Sequence, residues 1–241
     1  MIRNFPALVK VPNKVVVHDA AANMKAAIPA MEVKASSLLC ADHLLNTALL
    51  HACSKVLLLD EAIQCATALS SKVHQSTLAC KALKDECIKL GVDYVKIIAP
   101  VATRWNSNHL MIDSMLKVRP ALRSLREDKD MPYFRGVIPS DNQFDILESV
   151  NRVLKMMKQM SDEWSKDNEP VMQMMLASFH FIDTQLTQIC RVTTSATTKE
   201  FCKHLATELF KETRIANKGN KNIFLRENNI YAVLFRENNY Y

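Results

Sequence analysis

The stretch Lys14-Val15-Val16-Val17-His18-Asp19 decides how the first part of the chain folds. Its three consecutive valines predict a short buried strand, because β-branched residues favour strands, and the strand ends in a carboxylate. Residues 20–28 have a helical pattern, Ser37-Leu38-Leu39-Cys40 predicts a second strand, and another helix opens at residue 41. This order predicts a small α/β part, in which Asp19 lies at the carboxyl end of a strand. Open α/β sheets bind ligands at that end.

Most of the remaining sequence predicts helices. A long helical pattern over residues 55–90 ends at Gly91, which suits the position after a helix. A second pattern over residues 106–128 is broken near Pro120. Two stripes of apolar residues at intervals of three and four follow: Phe144, Leu147, Val150, Leu154, Met157 and Met160, then Met172, Leu176, Phe179, Ile182, Leu186 and Ile189. The predicted fold class is therefore mostly α with a small α/β part.

The sequence predicts three parts. Residues 1–54 form the small α/β lobe, and residues 55–217 form a helical domain whose last helix runs from Thr198 to about Asn217. Residues 218–241 differ in character, because F-L-R-E-N-N at 224–229 is echoed by F-R-E-N-N at 235–239. We expect this last part to be poorly ordered or weakly packed.

Composition restricts the classes of function. The seven cysteines lack framework spacing, which favours reduced thiols, and the first residues lack the apolar region of a signal peptide. No run approaches the roughly 18 apolar residues of a membrane span, so we expect no membrane partner. Only three glycines occur, which excludes glycine-rich phosphate loops. The net charge of +6 mildly favours nucleic acid.

Cys40 and His43 have C-x-x-H spacing at a strand-to-helix junction. A closed zinc site needs four ligands, and the chain offers no second pair at ligand spacing. The favoured interpretation is that Cys40 is a buried strand residue and His43 a hydrogen-bonded residue at the start of a helix.

Thr103-Arg104-Trp105-Asn106-Ser107 lies between an apolar run at 94–101 and a helical pattern. A guanidinium beside a large flat ring suits contact with a phosphate and stacking on an unpaired base. The alternative is that Trp105 anchors the core beside a solvated Arg104, because tryptophan is mostly buried. Both interpretations stay open at the level of sequence.

Three blocks share one order with a known family. They are V-V-V-H-D-A-A-A-N-M at 15–24, C-A-D-H-L-L-N-T-A-L at 40–49 and T-R-W-N-S-N-H-L-M at 103–111. Together they resemble the hAT family of DNA transposases and their domesticated relatives, over the chain up to about residue 214. The resemblance implies a ribonuclease-H-like core with a large helical insertion. It also implies three acids that hold Mg²⁺ or Mn²⁺ for DNA cleavage and strand transfer. The expected location is nuclear or cytoplasmic, with the nucleus favoured.

The resemblance assigns roles to five residues. Asp19 matches the second metal-binding acid, although an Asp there also suits a helix N-cap before residue 20. His43 supports the active site, and Cys40 is structural. Arg104 and Trp105 contact DNA at the transposon end, where the ring stacks on a base displaced from the duplex.

The departures from the family decide the expected activity. The first acid, in a D-x-W context, the third acid, in S-x-x-S-E-R-x-F, and the L-D-P-R-F block have no counterpart here. Asp19 alone cannot assemble a metal pair. We therefore expect a truncated, catalytically inactive relative with an incomplete sheet and no stably bound metal. Its expected partners are transposon-end-like DNA, bound weakly, or a protein, with possible self-association. The alternative is a fragment or subunit of an active metal-dependent transposase that the missing segments complete.

Overall fold

The computed structural model describes residues 14–19, 26–27, 35–101, 104–128, 131–165 and 171–216. The helix predicted over residues 20–28 falls within this description only at residues 26–27, which are helical. The predicted first-turn role of Pro170 and the predicted tail at 218–241 lie outside the described residues.

The described part of the chain is mostly helical, which confirms the predicted fold class at that level. The two strands described are β1 (Lys14–His18) and β2 (Ala35–Leu39). The helices are α1 (Ala41–Lys55), α2 (Leu57–Gln75), α3 (Thr77–Lys89), α4 (Trp105–Lys117), α5 (Arg119–Glu127), α6 (Asp141–Trp164), α7 (Val171–Val192) and α8 (Ala196–Ala216), with a 3-10 turn at Pro132–Phe134. None of the helices described is long and apolar enough to cross a membrane.

The chain divides into two compact units. One comprises Met1–Thr47 with Leu209–Tyr241, and the other comprises Ala48–Glu208. The first unit therefore contains both strands and the start of α1. The second contains the helices from α2 to α7.

In the first unit, β1 and β2 form a two-stranded parallel sheet whose register runs from Lys14 opposite Ala35 to His18 opposite Leu39. Both predicted strands are present, although β2 begins and ends earlier in the chain than predicted. The prediction of a buried strand is wrong for Val17, which is 53% exposed, whereas His18 is buried. Successive side chains of a strand point to opposite faces, and one face of this strand is open at Val17.

In the second unit, the helix predicted over residues 55–90 is divided at two places. Residue 55 ends α1, and Val56 has an extended backbone. Ser76 is also extended and separates α2 from α3, where its side chain accepts a hydrogen bond from the Ala79 N–H at 3.2 Å. A serine that caps a helix in this way satisfies a backbone donor that would otherwise have no partner. The correction is therefore two helices where the apolar pattern predicted one.

Gly91 ends α3 as predicted. Its φ of +64° lies in the left-handed region. The Gly91 N–H donates to the carbonyl of Ile88 at 3.1 Å, and the Val92 N–H donates to that of Cys87 at 2.9 Å. These two bonds form a Schellman motif, which satisfies carbonyls at the end of the helix.

The predicted break near Pro120 is also confirmed. Helix α4 ends before Val118, and the proline occupies the first turn of α5. Ser140 caps α6 in a capping box with Gln143. Helix α6 packs against α2, α4 and α7 and forms the centre of the unit. Its predicted stripe is buried at five of six positions: Phe144, Leu147, Val150, Leu154 and Met157.

Candidate functional site

The carboxyl ends of the two strands place two predicted site residues side by side. Asp19 directly follows β1, and Cys40 directly follows β2. The residues before them, His18 and Leu39, are register partners in the parallel sheet. The Cys40 N–H donates to the His18 carbonyl at 2.7 Å, which extends the parallel pairing by one residue. Asp19 is exposed and Cys40 is half-buried. We call Asp19, Cys40 and the first turn of α1 the sheet edge.

The first turn of α1 adds two further polar residues to the sheet edge. His43 and Asp42 are both half-buried there. Asp42 interacts favourably with the positive end of the helix dipole. Prediction from sequence missed Asp42, although an acid in a first helical turn is a recognised signal. Cys40 lies just after its strand instead of within it, which corrects the predicted placement by one residue.

His18 is the second residue that sequence analysis missed at the sheet edge. It is 5% exposed, its Nδ1 donates to the backbone carbonyl of Asp19, and its own carbonyl accepts from Cys40. The ring therefore braces the backbone that presents the Asp19 carboxylate. The only signal in the sequence is a histidine at the end of an apolar strand.

The donor set at the sheet edge limits what metal chemistry is possible. Within the described ranges, no group of three or more His, Cys, Asp or Glu side chains is arranged to hold a metal ion. The sheet edge offers the exposed carboxylate of Asp19 and the half-buried carboxylate of Asp42, and a stable Mg²⁺ or Mn²⁺ site needs more ligands from substrate phosphates or other side chains. The described residues alone therefore do not fit the metal pair that the family resemblance implies.

The second candidate site is the start of α4 in the other unit. Trp105 is the first residue of the helix and Arg104 is its N-cap, with φ −131° and ψ 105° and no capping hydrogen bond from its side chain. Trp105 is 3% exposed, whereas Arg104 is exposed. The structure thus has the core-anchor arrangement. Stacking of this ring on a base requires the ring to leave the core.

Ser107 fixes the turn that presents Arg104. Its Oγ accepts a hydrogen bond from the Val101 N–H at 2.7 Å and lies 2.6 Å from the Arg104 carbonyl, to which it donates. The Ser107 N–H also donates to that carbonyl at 3.1 Å. Val101 and the Arg104 carbonyl are therefore both held by Ser107, while the Arg104 side chain is exposed. Ser107 belongs to the T-R-W-N-S-N-H-L-M block, but its role in holding this turn follows from the structure alone.

The electrostatics of this start of α4 favour an anion. The N-terminus of a helix carries a partial positive charge, and an arginine forms charge-assisted hydrogen bonds with phosphate oxygens. Among the described residues, none forms an ion pair with Arg104. The two candidate sites belong to different units.

These features define a mostly helical protein with a short parallel sheet, a carboxylate at the end of that sheet and a solvent-exposed arginine at a helix start. No protein-family model and no curated protein matches the chain. The likeness to hAT transposases therefore depends on the three sequence blocks.

Proposed function

We propose that the chain is an hAT-transposase-like protein that contacts DNA through Arg104 and does not cleave DNA by itself. The observation that supports the contact is the exposed guanidinium of Arg104, held at the N-terminus of α4 by the buried ring of Trp105 and by the Ser107 hydrogen bonds. In this proposal Arg104 contacts a phosphate, and Trp105 is a positioning residue that anchors the turn instead of a base-stacking one.

A phosphate contact of this kind has characteristic properties. It is independent of base sequence, and it weakens with salt because DNA binding releases counterions. One arginine and a net charge of +6 support weak binding, with Kd of roughly 10⁻⁴–10⁻⁶ M at physiological salt. Hairpin DNA or a transposon-end-like duplex is the proposed ligand.

The fold supports the family proposal in two respects. Parallel strands need a connection of roughly a dozen or more residues, and residues 19–34 of the sequence separate β1 from β2. The helices that follow, from Leu57 onward, agree with a helical insertion after a small sheet. We propose that β1 and β2 are part of an incomplete ribonuclease-H-like sheet, and that the protein acts in the nucleus and self-associates.

The proposed lack of cleavage follows from the acids. Of the three carboxylates that the resemblance implies, only Asp19 has a counterpart in the 241 residues. In-line displacement at phosphorus with two metals needs ligands that hold both ions a few Å apart. Neither Mg²⁺ nor Mn²⁺ is therefore held stably in this proposal.

The binding proposal is tested by removing one positive charge at two comparable positions. Arg104→Gln changes the proposed contact, and Arg135→Gln is a matched control because Arg135 is also an exposed arginine. Fluorescence anisotropy with labelled hairpin DNA at several salt concentrations gives the Kd and its salt slope. We expect Arg104→Gln to weaken binding about tenfold and to lower the slope by about one, and Arg135→Gln to change both less. Equal effects of the two variants would contradict a specific role of Arg104.

A second candidate function is part of an active transposase that other segments complete. The exposed Asp19 at the carboxyl end of β1, beside Cys40, favours it, because ligands of parallel sheets bind at that end. Supercoiled plasmid and Mn²⁺ test it, with the chain alone and with the chain joined to the acid-bearing segments of an active transposase. Nicking by the joined chain that is lost in Asp19→Asn supports this second function. Nicking by the chain alone that is lost in the same variant contradicts the proposal of an inactive protein.

A further inference from the structure

Two cysteines on consecutive helices face each other. Cys190 lies near the end of α7, and Cys202 lies two turns into α8. Cys190 is close enough to Cys202 to contribute, after burial, to the raised pKa of the Cys202 thiol. The Cys190 sulfur also lies 3.7 Å from the carbonyl oxygen of Lys199, one turn before Cys202 on the same helix. The Cys190 sulfur therefore lies against the turn of α8 that leads to Cys202.

The connection between the two helices holds this pair in place. The Thr193 N–H donates to the Ile189 carbonyl at 2.9 Å, which closes the end of α7. Ser195 caps α8, since its Oγ accepts from the Thr198 N–H at 3.2 Å. The Thr198 hydroxyl is 2.7 Å from that of Ser149, which ties the start of α8 to α6. The thiol pair is thus supported by hydrogen bonds on both sides.

The two thiols differ in their access to solvent. Cys190 is half-buried, whereas Cys202 is 1% exposed. Burial, reinforced by the neighbouring Cys190, raises the pKa of the Cys202 thiol to about 12. A small oxidant from solution therefore reaches Cys190 first, and Cys202 is placed to react only with its neighbour.

We propose that Cys190 and Cys202 form a redox-responsive dithiol that a small-molecule disulfide converts into an intramolecular disulfide between α7 and α8. The Cys190 thiol loses its proton and attacks one sulfur of the small disulfide, which gives a mixed disulfide and releases one small thiol. The Cys202 sulfur then loses its proton and attacks the Cys190 sulfur, which releases the second small thiol. Two protein thiols are oxidised and one small disulfide is reduced to two thiols.

The product joins two helices that a three-residue connection already holds close together. A cross-link of this kind reduces the freedom of the unfolded chain and is reversed by excess thiol. Such a bond is suited to signalling in a reducing environment, where disulfides are transient. In the oxidised protein a covalent bond joins α7 to α8.

Treatment of the full 241-residue chain with oxidised glutathione tests the proposal. Trypsin cleaves after Arg191 and after Lys199, so the two cysteines fall in different peptides and their link is visible by mass spectrometry without reduction. We expect one dominant Cys190–Cys202 link, with the other five cysteines free, and a rise in Tm of roughly 5–10 °C that dithiothreitol reverses.

Three variants make the result specific. Cys65→Ser, which removes a half-buried thiol on α2, should keep both the link and the rise in Tm. Cys202→Ser should stop the reaction at a glutathione adduct on Cys190, and Cys190→Ser should leave Cys202 unmodified. A wild-type chain that accumulates the adduct on Cys190, or that links other cysteines equally, overturns the proposal.

Discussion

His109 of α4 donates a hydrogen bond through Nδ1 to the side-chain oxygen of Asn151 of α6 at 2.8 Å, and both residues are buried. His109 lies one turn after Trp105, on the same face of α4. The polar pair therefore fixes how the Trp105 face of α4 lies on the central helix, because a buried hydrogen bond requires a defined separation. The presentation of Arg104 depends on this contact as well as on the buried ring.

The first prediction concerns that pair. Asn151→Ala should lower the free energy of unfolding by about 1–3 kcal/mol, because it leaves the His109 donor without its partner in a buried position. Gln159→Ala on the exposed side of α6 is the control and should change it by less than about 0.5 kcal/mol. Urea denaturation at neutral pH measures both. Equal stability of the two variants would mean that His109 finds another acceptor.

Sequence patterns predicted those features of the fold that depend on the backbone preference of one residue or one short run of residues. The valines of β1, the glycine at 91 and the proline at 120 each act through their own backbone, so the strand, the helix end and the helix break follow from the sequence. The division of the pattern over 55–90 does not, because the same apolar periodicity continues across Ser76. A capping serine there is a weak signal, since serine also occurs inside helices.

The residues of the candidate sites could be predicted from the sequence, but their burial and their neighbours could not. The sequence placed Arg104 and Trp105 together, but the burial of the ring depends on the tertiary packing of α4, which contacts α6. Pairing between β1 and β2 likewise decides that Asp19 and Cys40 become neighbours. Tertiary contacts of this kind cannot be derived from spacing.

The second prediction separates an anchoring ring from a stacking ring. Because Trp105 is 3% exposed, DNA with a bulged base should bind no more tightly to the wild-type chain than perfectly paired DNA of the same length. Trp105→Ala should destabilise the protein by about 3–5 kcal/mol through the cavity it leaves. Anisotropy with both DNAs and urea denaturation measure these effects. A clear preference for the bulge that Trp105→Ala abolishes, in protein that remains folded, would restore the stacking role.

The third prediction concerns acid stability. Asp141 accepts a hydrogen bond from Arg126 at 2.8 Å and forms an ion pair with Arg123 at 2.9 Å. The Arg126 hydrogen bond is the main cause that holds the pKa of Asp141 below its ordinary value of 3.8. A lowered folded-state pKa adds stability that is fully present above the unfolded-state pKa and is lost as the pH falls through the folded-state pKa.

We therefore expect Arg126→Met to have a lower free energy of unfolding than wild type at neutral pH. The variant should also lose less of that free energy than wild type as the pH falls below about 4. Urea midpoints measured between about pH 7 and pH 2 test this. Lys81→Met serves as the control because Lys81 is an exposed cation of α3. If the stability of wild type and of Arg126→Met falls equally as the pH is lowered, Arg126 does not lower the pKa of Asp141.

The fourth prediction concerns the end of α3. A side chain at Gly91 would meet nothing within 4 Å, so any cost of substitution comes from the backbone at φ +64°. Gly91→Ala should cost about 1–2 kcal/mol, whereas Gly91→Asn should cost less, because asparagine tolerates the left-handed region. Thermal and urea denaturation of the two variants measure the difference. If alanine and asparagine are equally tolerated, the Schellman motif is not what ends this helix.

The last prediction concerns the short sheet. Among the described residues, β1 and β2 pair only with each other. Each strand therefore has one edge without a strand neighbour in that part of the chain. Val17 of β1 is 53% exposed. Edges with exposed apolar side chains promote association between chains. Sedimentation velocity should therefore show dimers that increase with concentration, and Val17→Lys should shift the distribution toward monomer. Leu57→Lys, which places the same charge at an exposed leucine of α2, should leave the association unchanged. If Leu57→Lys is the variant that abolishes association, the contact between chains lies on the helices and the edge of the sheet has no part in it.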